Sequence, residues 1–287
     1  VTNQGFSSYN AAILEVKHDF SNSFQFRVDY TYSHSIDNDS GPTGSDLDSF
    51  VGNQENPYLS RANSDFNQPH RVVFTYVWDL PGPKTGFLGN TIGGWSLSGV
   101  YTLQSGLPYT VSSTSGLGLA GLTGSVTVPA IVGSCSGGYS PSGSAGSKLN
   151  NYVNPSCFSP IPTMANGTVL SNLTPSEGPG NQSYTIGGAA GDTSGGTLFG
   201  YGARNIARGP FEQRFDLALI KDFHFRERFD LQFRAEAFKL FNNVIFANPA
   251  ANISNYNANP ALNAFGVISS TLDSTGRILQ LGLKLNF

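Results

Sequence analysis

Charge is scarce in this sequence: 12% of its 287 residues are Asp, Glu, Lys or Arg, against about 25% in an average soluble domain. The formal net charge of -3 leaves no basic footprint, which argues against a nucleic-acid partner. Long apolar runs are missing too. Stretches such as "LALI" at Leu217 to Ile220 fall far short of the roughly 18 apolar residues of a membrane-spanning helix. Insertion as helices is thereby excluded, and insertion as strands is left open. Cys135 and Cys157 are the only cysteines, with no His or further Cys at metal-ligand spacing, so no metal or cofactor site is expected from them. They lie in a Gly/Ser/Pro-rich stretch and read as a loop disulfide in an oxidising compartment, with two free thiols as the alternative. His18, His34, His70 and His224 are scattered, without HExxH and without a Ser and an acid arranged around them. No enzyme is expected; a Ser/His hydrolase is the enzymatic alternative, and His70 reads as an interface or pore residue. The chain opens on Val1 without a charged-then-apolar leader, which suggests a processed or truncated piece.

What is abundant is Gly, with 34 residues, and aromatics, at 12%, a mixture that favours a β-rich protein outside the cytoplasm. Strict alternation recurs along the chain. In "FQFRVDYTYSHS", Phe24, Phe26, Val28, Tyr30 and Tyr32 share one face while Gln25, Arg27, Asp29, Thr31 and Ser33 share the other. A preceding strand spans about Tyr9 to Phe20, joined through a tight Ser21-Asn22-Ser23 turn. The pattern returns in "RVVFTYVWDL", "WSLSGVYTLQ", "RFDLALIKDF", "RFDLQFRAEAF" and the closing "RILQLGLKLNF", seven strands in all, and "FGVISST" at Phe265 to Thr271 is a candidate eighth. Strands of about ten residues suit a tilted membrane crossing better than the five or six common in globular sheets. Tyr30, Tyr32, Trp78, Trp95 and Phe223 gather toward strand ends, like the interfacial girdles of outer-membrane barrels.

Connection lengths point the same way. Shorter connections, tight at Ser21 to Ser23 and His224 to Arg228 and moderate at the turn containing "PGPKTGF", alternate with long loops before Pro69, from Ser105 to about Pro210, and before Arg277. Outer-membrane barrels have short periplasmic turns and long extracellular loops. The expected fold is therefore all-β, an antiparallel transmembrane β-barrel portion of seven or eight long strands. Residues 1–287 are expected to form one barrel portion, which a family resemblance makes the C-terminal portion, with 105–210 as a long extracellular loop. An odd count of seven, where single-chain bacterial barrels have even numbers, also suggests a fragment.

The run "YGARNIARGPFEQRFDLALIKDFHFRERFDLQFRAEAFKLFNNVIFANP", followed by "FGVISSTLDSTGRILQLGLKLNF", resembles the C-terminal end of TonB-dependent outer-membrane receptors, closest to their Oar-like branch. "YNAAILEVKHDFSNSFQFRVDYTYSHS" and "NQPHRVVFTYVWDLP" are similar to upstream strands of that branch. The resemblance implies a location in the cell outer membrane of a Gram-negative bacterium and a barrel of about 22 strands around a plug. It further implies contact with outer-membrane lipid, uptake of a nutrient ligand, and energy from the TonB complex through an N-terminal region missing here. It also implies that Leu279, Leu281, Leu283, Leu285 and the terminal Phe287 form the signal read by the barrel-assembly machinery. Two other functions stay open at this stage: a passive or adhesive outer-membrane barrel, and a secreted carbohydrate-binding β-sandwich.

Arg27, Asp29, Arg234 and Glu236 are expected to face a wet lumen and to neutralise one another at opposed strand positions. "DNDSGPTGSDLD", Asp37 to Asp48, imitates a calcium loop at Asp37, Asp39 and Asp48 but has Gly41 and Pro42 where a ligand and the turn glycine belong. No metal site is expected from it. The loop from Ser105 to about Arg208, with islands such as "GLPYT" and "CFSPIPTM", is the expected place for ligand recognition. Deleting Phe287 from the full-length protein should impair membrane assembly, scored as the heat-modifiable folded band in outer-membrane fractions; normal insertion would contradict the proposed signal.

Overall fold

The structure, a computed structural model, describes residues 5–21, 23–38, 40, 61–83, 86–116, 125–129, 131–132, 138–159, 173–175, 184–186, 204–225, 229–273 and 276–286. All seven expected strands are present: β1 (Ser7–Ser21), β2 (Phe24–Asp37), β3 (His70–Asp79), β4 (Trp95–Gln104), β5 (Glu212–Phe225), β6 (Phe229–Phe238) and β7 (Ile278–Asn286). They pair in chain order in one antiparallel sheet, and the two-residue strand Ala62–Asn63 adds to the far end of β2. Within the described residues β1 and β7 each have one long neighbour, so the sheet is open. The β1–β2 turn places Ser23 at φ 71, the left-handed conformation that a tight hairpin turn requires.

Register carries the alternation across the sheet. Val16, Val28, Phe74, Tyr101 and Phe215 stand opposite one another in successive strands, as do Phe24, Trp78, Leu97, Leu219, Ala235 and Leu281. A slip of one residue would turn every such side chain to the wrong face. Even a glycine fits the scheme, since a Cβ at Gly99 would lie 2.7 Å from the Tyr76 ring that covers it. The assembled apolar face is left open: Leu14 is 62% and Leu281 74% exposed, and among the described residues no second sheet covers it.

Aromatics rim this face at both ends. Near the short turns, Trp78 meets Phe24 edge-on and Trp95 meets Phe233 edge-on. Near the long loops, Tyr101 meets Phe215, Phe215 stacks on Phe241, and Tyr32 packs on His70. From Phe215 to Phe223 along β5 is about 26 Å at roughly 3.3 Å per residue, comparable with the apolar band of about 25 Å in outer-membrane barrels.

Two expectations need correction. Phe265 to Thr271 is not an eighth strand; its ladder is one isolated bridge, Phe246 to Thr271. Gly266 at φ 74 interrupts the extended backbone, and Val153 crowds close to it. The segment instead runs through loop structure, with Gly266 N–H donating to Ala250 O at 2.7 Å and Ile268 N–H to Leu149 O at 2.7 Å. The turn containing "PGPKTGF" is more than a turn, for it holds a short helix, α1 (Gly86–Thr91).

The described hydrophobic core lies in the loops. Tyr109, Val111, Tyr152, Val153, Phe158 and Phe265 belong to one buried cluster joining the long loop to the last one. A membrane sheet buries its apolar side in lipid and so needs no interior core, whereas loops in water must bury their own.

Depth along the strands decides what a lipid-face charge costs. Leu219 lies opposite Leu97 and Ala235, between the aromatic rims, while Phe233 packs on Trp95 in the turn-side rim. Leu219→Arg should therefore destabilise by about 2 to 4 kcal/mol and Phe233→Arg by about 1 kcal/mol or less, measured by urea titration in bilayers. Equal costs would contradict the assigned depths.

Candidate functional site: the lumen face and the loop-end cap

The sheet's second face is polar and carries paired charge. Arg27 binds Asp29 at 2.8 Å and Glu15 at 2.9 Å, Lys17 binds Asp19 at 2.7 Å, Arg214 binds Asp216 at 3.1 Å, and Arg234 lies 4.0 Å from Glu236. Most of these pairs run along one strand, two residues apart, rather than between opposed positions as expected. Register supplies the reason. Opposite Arg27 stand Lys17 and Thr75, and opposite Arg234 stand Ile220 and Gly282. With no carboxylate directly across, each Arg turns to the acid next along its own face. An open cavity of about 440 Å³ lies against this face, walled by Lys17, Arg27, Thr75, Ser98, Asp216 and Glu236 among others.

Where β2 outruns β3, a second set of polar groups is buried beneath the long loops. Asp37 at the end of β2 is 2% exposed and Arg204 is 8% exposed. The Arg204 guanidinium pairs with Asp37, reaches Asp65 at 3.1 Å, and donates to Ser40 Oγ at 3.0 Å. Beside it, Asn205 Nδ2 donates to Asn63 O at 2.8 Å, and Asn205 N–H donates to Thr110 Oγ1 at 2.9 Å. Arg208 Nη1 donates to Asn67 O at 2.7 Å. The residues just before β5 thus tie the loop after β2 to both stems of the longest loop. Above them sits the hydrophobic cluster, where burial pushes the Tyr109 and Tyr152 hydroxyls up and pulls the Lys148 ammonium down. Lys148 Nζ donates to Ser140 Oγ at 2.9 Å and lies 4.6 Å from the Tyr152 ring centre.

The other candidates fall into place individually. Asp37 faces no empty cation loop, because Arg204 and the Ser40 hydroxyl, at 2.7 Å, take its carboxylate; Asp39 and Asp48 lie outside the described residues. Among the described residues no cluster of His, Cys, Asp and Glu could hold a metal. His70 belongs to the loop-side rim of the apolar face, its Nδ1 2.8 Å from the Tyr30 hydroxyl. His18 stacks on Phe26, and His34 Nε2 lies 3.1 Å from Asn63 Oδ1. These three imidazoles are not brought together. Leu279, Leu281, Leu283 and Leu285 share the exposed side of β7, and Phe287 lies outside the described residues. Cys157 is fully buried and disulfide-bonded, while Cys135 lies outside the described residues.

Residues 1–280 match the family described as "Outer membrane beta barrel domain". The chain belongs to that family. Searches of curated proteins and of solved structures returned no significant match. For an outer-membrane barrel, the open apolar face is the lipid face, the charged face is the lumen face, and the site of action is the outer membrane. The secreted-sandwich alternative is thereby overturned, and among the described residues no second sheet packs on the long one.

Arg204, Asn205 and Arg208 carry little signal in the sequence. Their only signal was two arginines in "ARNIARG", a stretch with no other charge. In this outer-membrane barrel, Arg204→Met should strand the buried Asp37 carboxylate and loosen the cap, at a cost of about 3 to 5 kcal/mol. Limited proteolysis of intact membranes would show faster loop cleavage. The double variant Arg204→Met with Asp37→Asn should recover part of the protection, and its failure to do so would deny the pair its central place.

Proposed function

We propose that this barrel is the C-terminal portion of a TonB-dependent receptor of the Oar-like branch, which takes up a nutrient across the outer membrane. The observation that carries the reading is the folded cap. Loops 105–116, 138–159 and 239–273 share one buried cluster, and the Arg204 network fastens them to the loop after β2, beside a wet, charge-balanced lumen face. A receptor needs such an arrangement: a shaped outer surface for a ligand, and a polar path behind it. In this reading the long loops are extracellular and the short turns periplasmic. The partners are outer-membrane lipid, the barrel-assembly machinery at β7, the nutrient ligand, and the TonB complex acting through the N-terminal region that the resemblance implies. The protein has no catalytic role.

A second reading, a passive or adhesive barrel, is favoured by apolar side chains standing out of the loops: Phe66 is 60% and Leu262 68% exposed. Growth of the source bacterium on a panel of scarce nutrients separates the two. Under the first reading, disrupting this gene and disrupting TonB give the same growth defect on one nutrient, with surface attachment unchanged. Loss of attachment without a shared growth defect would sink the uptake reading and support the second.

A further inference from the structure

One charge stands on the wrong face. Lys221 faces Trp95 across one ladder and Phe233 across the other, in the apolar row that meets lipid. It is 2% exposed. A lysine near the end of a membrane strand ordinarily extends its ammonium to the headgroup layer. Here the protein brings acceptors to the ammonium instead. Lys221 Nζ donates to Gly93 O and, at 3.3 Å, to Thr91 O, and it lies 5.3 Å from the Trp95 ring centre and 4.9 Å from that of Phe223. The Trp95 indole N–H also donates to Thr91 O, at 3.4 Å. Thr91 closes α1, and the carbonyl end of a helix carries partial negative charge that favours a cation.

These contacts fix where the β3–β4 turn lies. Its acceptor carbonyls reach a side chain on the lipid face, so the end of α1 lies over that face and not across the lumen. The turn is folded closely enough that a Cβ at Gly93 would lie 1.9 Å from Pro83 O. Ile92, between the two acceptor residues, is 62% exposed beside the Trp95 rim. In hydrocarbon an uncompensated ammonium is unfavourable; here the Thr91 and Gly93 carbonyls accept from it, and the aromatic faces add cation–π attraction.

We propose that residues 86–94, pinned by Lys221, form an interfacial anchor that lies on the membrane-facing side of the barrel and seats in the headgroup layer of the adjoining phospholipid leaflet. Ile92 enters the acyl boundary, and the Trp95 and Trp78 rings fix the depth. The partner is a glycerophospholipid interface, recognised through apolar area and indole rings rather than through a particular headgroup. The inference rests on membership of the outer-membrane barrel family and on the periplasmic placement of the short turns usual in such barrels; it does not depend on nutrient uptake.

The test places a nitroxide at Ile92→Cys in the protein purified from outer membranes and returned to phosphatidylethanolamine/phosphatidylglycerol bilayers. Relaxation by oxygen, which concentrates in lipid, is compared with relaxation by an aqueous nickel chelate. The anchor predicts that oxygen dominates, that Lys221→Arg preserves this, and that Lys221→Met shifts the label toward the chelate. It also predicts amide exchange over residues 86–94 at least about tenfold faster in Lys221→Met, the change expected when a hydrogen-bonded turn is released. A label at Ile92 relaxed mainly by the chelate in the otherwise native protein overturns the proposal. That measurement decides even if Lys221→Met does not assemble. Unchanged exchange in an assembled Lys221→Met protein overturns it as well.

Discussion

Backbone hydrogen bonding is the constraint on which this structure depends. In hydrocarbon no water compensates an unpaired N–H or C=O, so a chain without apolar helices can enter only as strands that pair along their whole length. Ladders between successive strands from β1 to β7 meet that demand inside the sheet, with the outer edges of β1 and β7 open among the described residues, and once they are fixed the side chains have no freedom of face. Lipid then selects the composition of one side and the wet lumen that of the other. The sparse charge of the sequence follows, since the lipid half of each strand excludes charge unless, as at Lys221, the protein supplies its partners.

Beyond the strand ends the solvent changes and the rules change with it. The loops stand in water and can be irregular, but they must hide their own apolar groups. They do so in the cluster around Val111, Val153 and Phe265, each at most 2% exposed. Loop-to-loop backbone bonds link Tyr152 to Gly266 and Ser112 to Ala251. The join between these regimes is made by Asp37 and Arg204: one residue extends β2 past its neighbour, the other lies close before β5, and both are buried. A buried ion pair is weak evidence for stability in itself, because desolvation offsets much of the attraction. Its directional bonds do fix which loop meets which stem.

This division explains what the sequence made legible. Strand positions could be read because a period of two over about ten residues is a local signal, and one face in lipid keeps it nearly unbroken, Lys221 being the charged exception among the described strands. Phe24 to Tyr32 and Leu279 to Leu285 announced themselves in this way. The cap could not be read, because Arg204 meets Asp37 across 167 residues and Asn205 meets Thr110 across 95, through backbone of no fixed period. The expectation of a strand at Phe265 to Thr271 failed for the same reason: apolar residues in a short run signal burial, and burial in a loop cluster looks the same as burial in a sheet. Pairing of Arg27 with Asp29 rather than with an opposed residue required the register, which fixes Lys17 as the neighbour across the ladder.

The charges sort by solvent. Arg27, Arg214 and Arg234 sit about half exposed on the lumen face, where ion pairs are screened and chiefly balance charge. Arg204 is buried in protein and needs carboxylates, because only opposite charge with several hydrogen bonds compensates its lost hydration. Lys221 stands at the lipid boundary and has neutral acceptors, the carbonyl end of a helix and two aromatic faces. A carboxylate there would bring a second ion into the least polar surroundings of the three, whereas the Thr91 and Gly93 carbonyls are neutral dipoles that add no charge. The same cationic chemistry thus takes a different counterpart in each solvent, and the counterpart marks which side of the barrel the residue occupies.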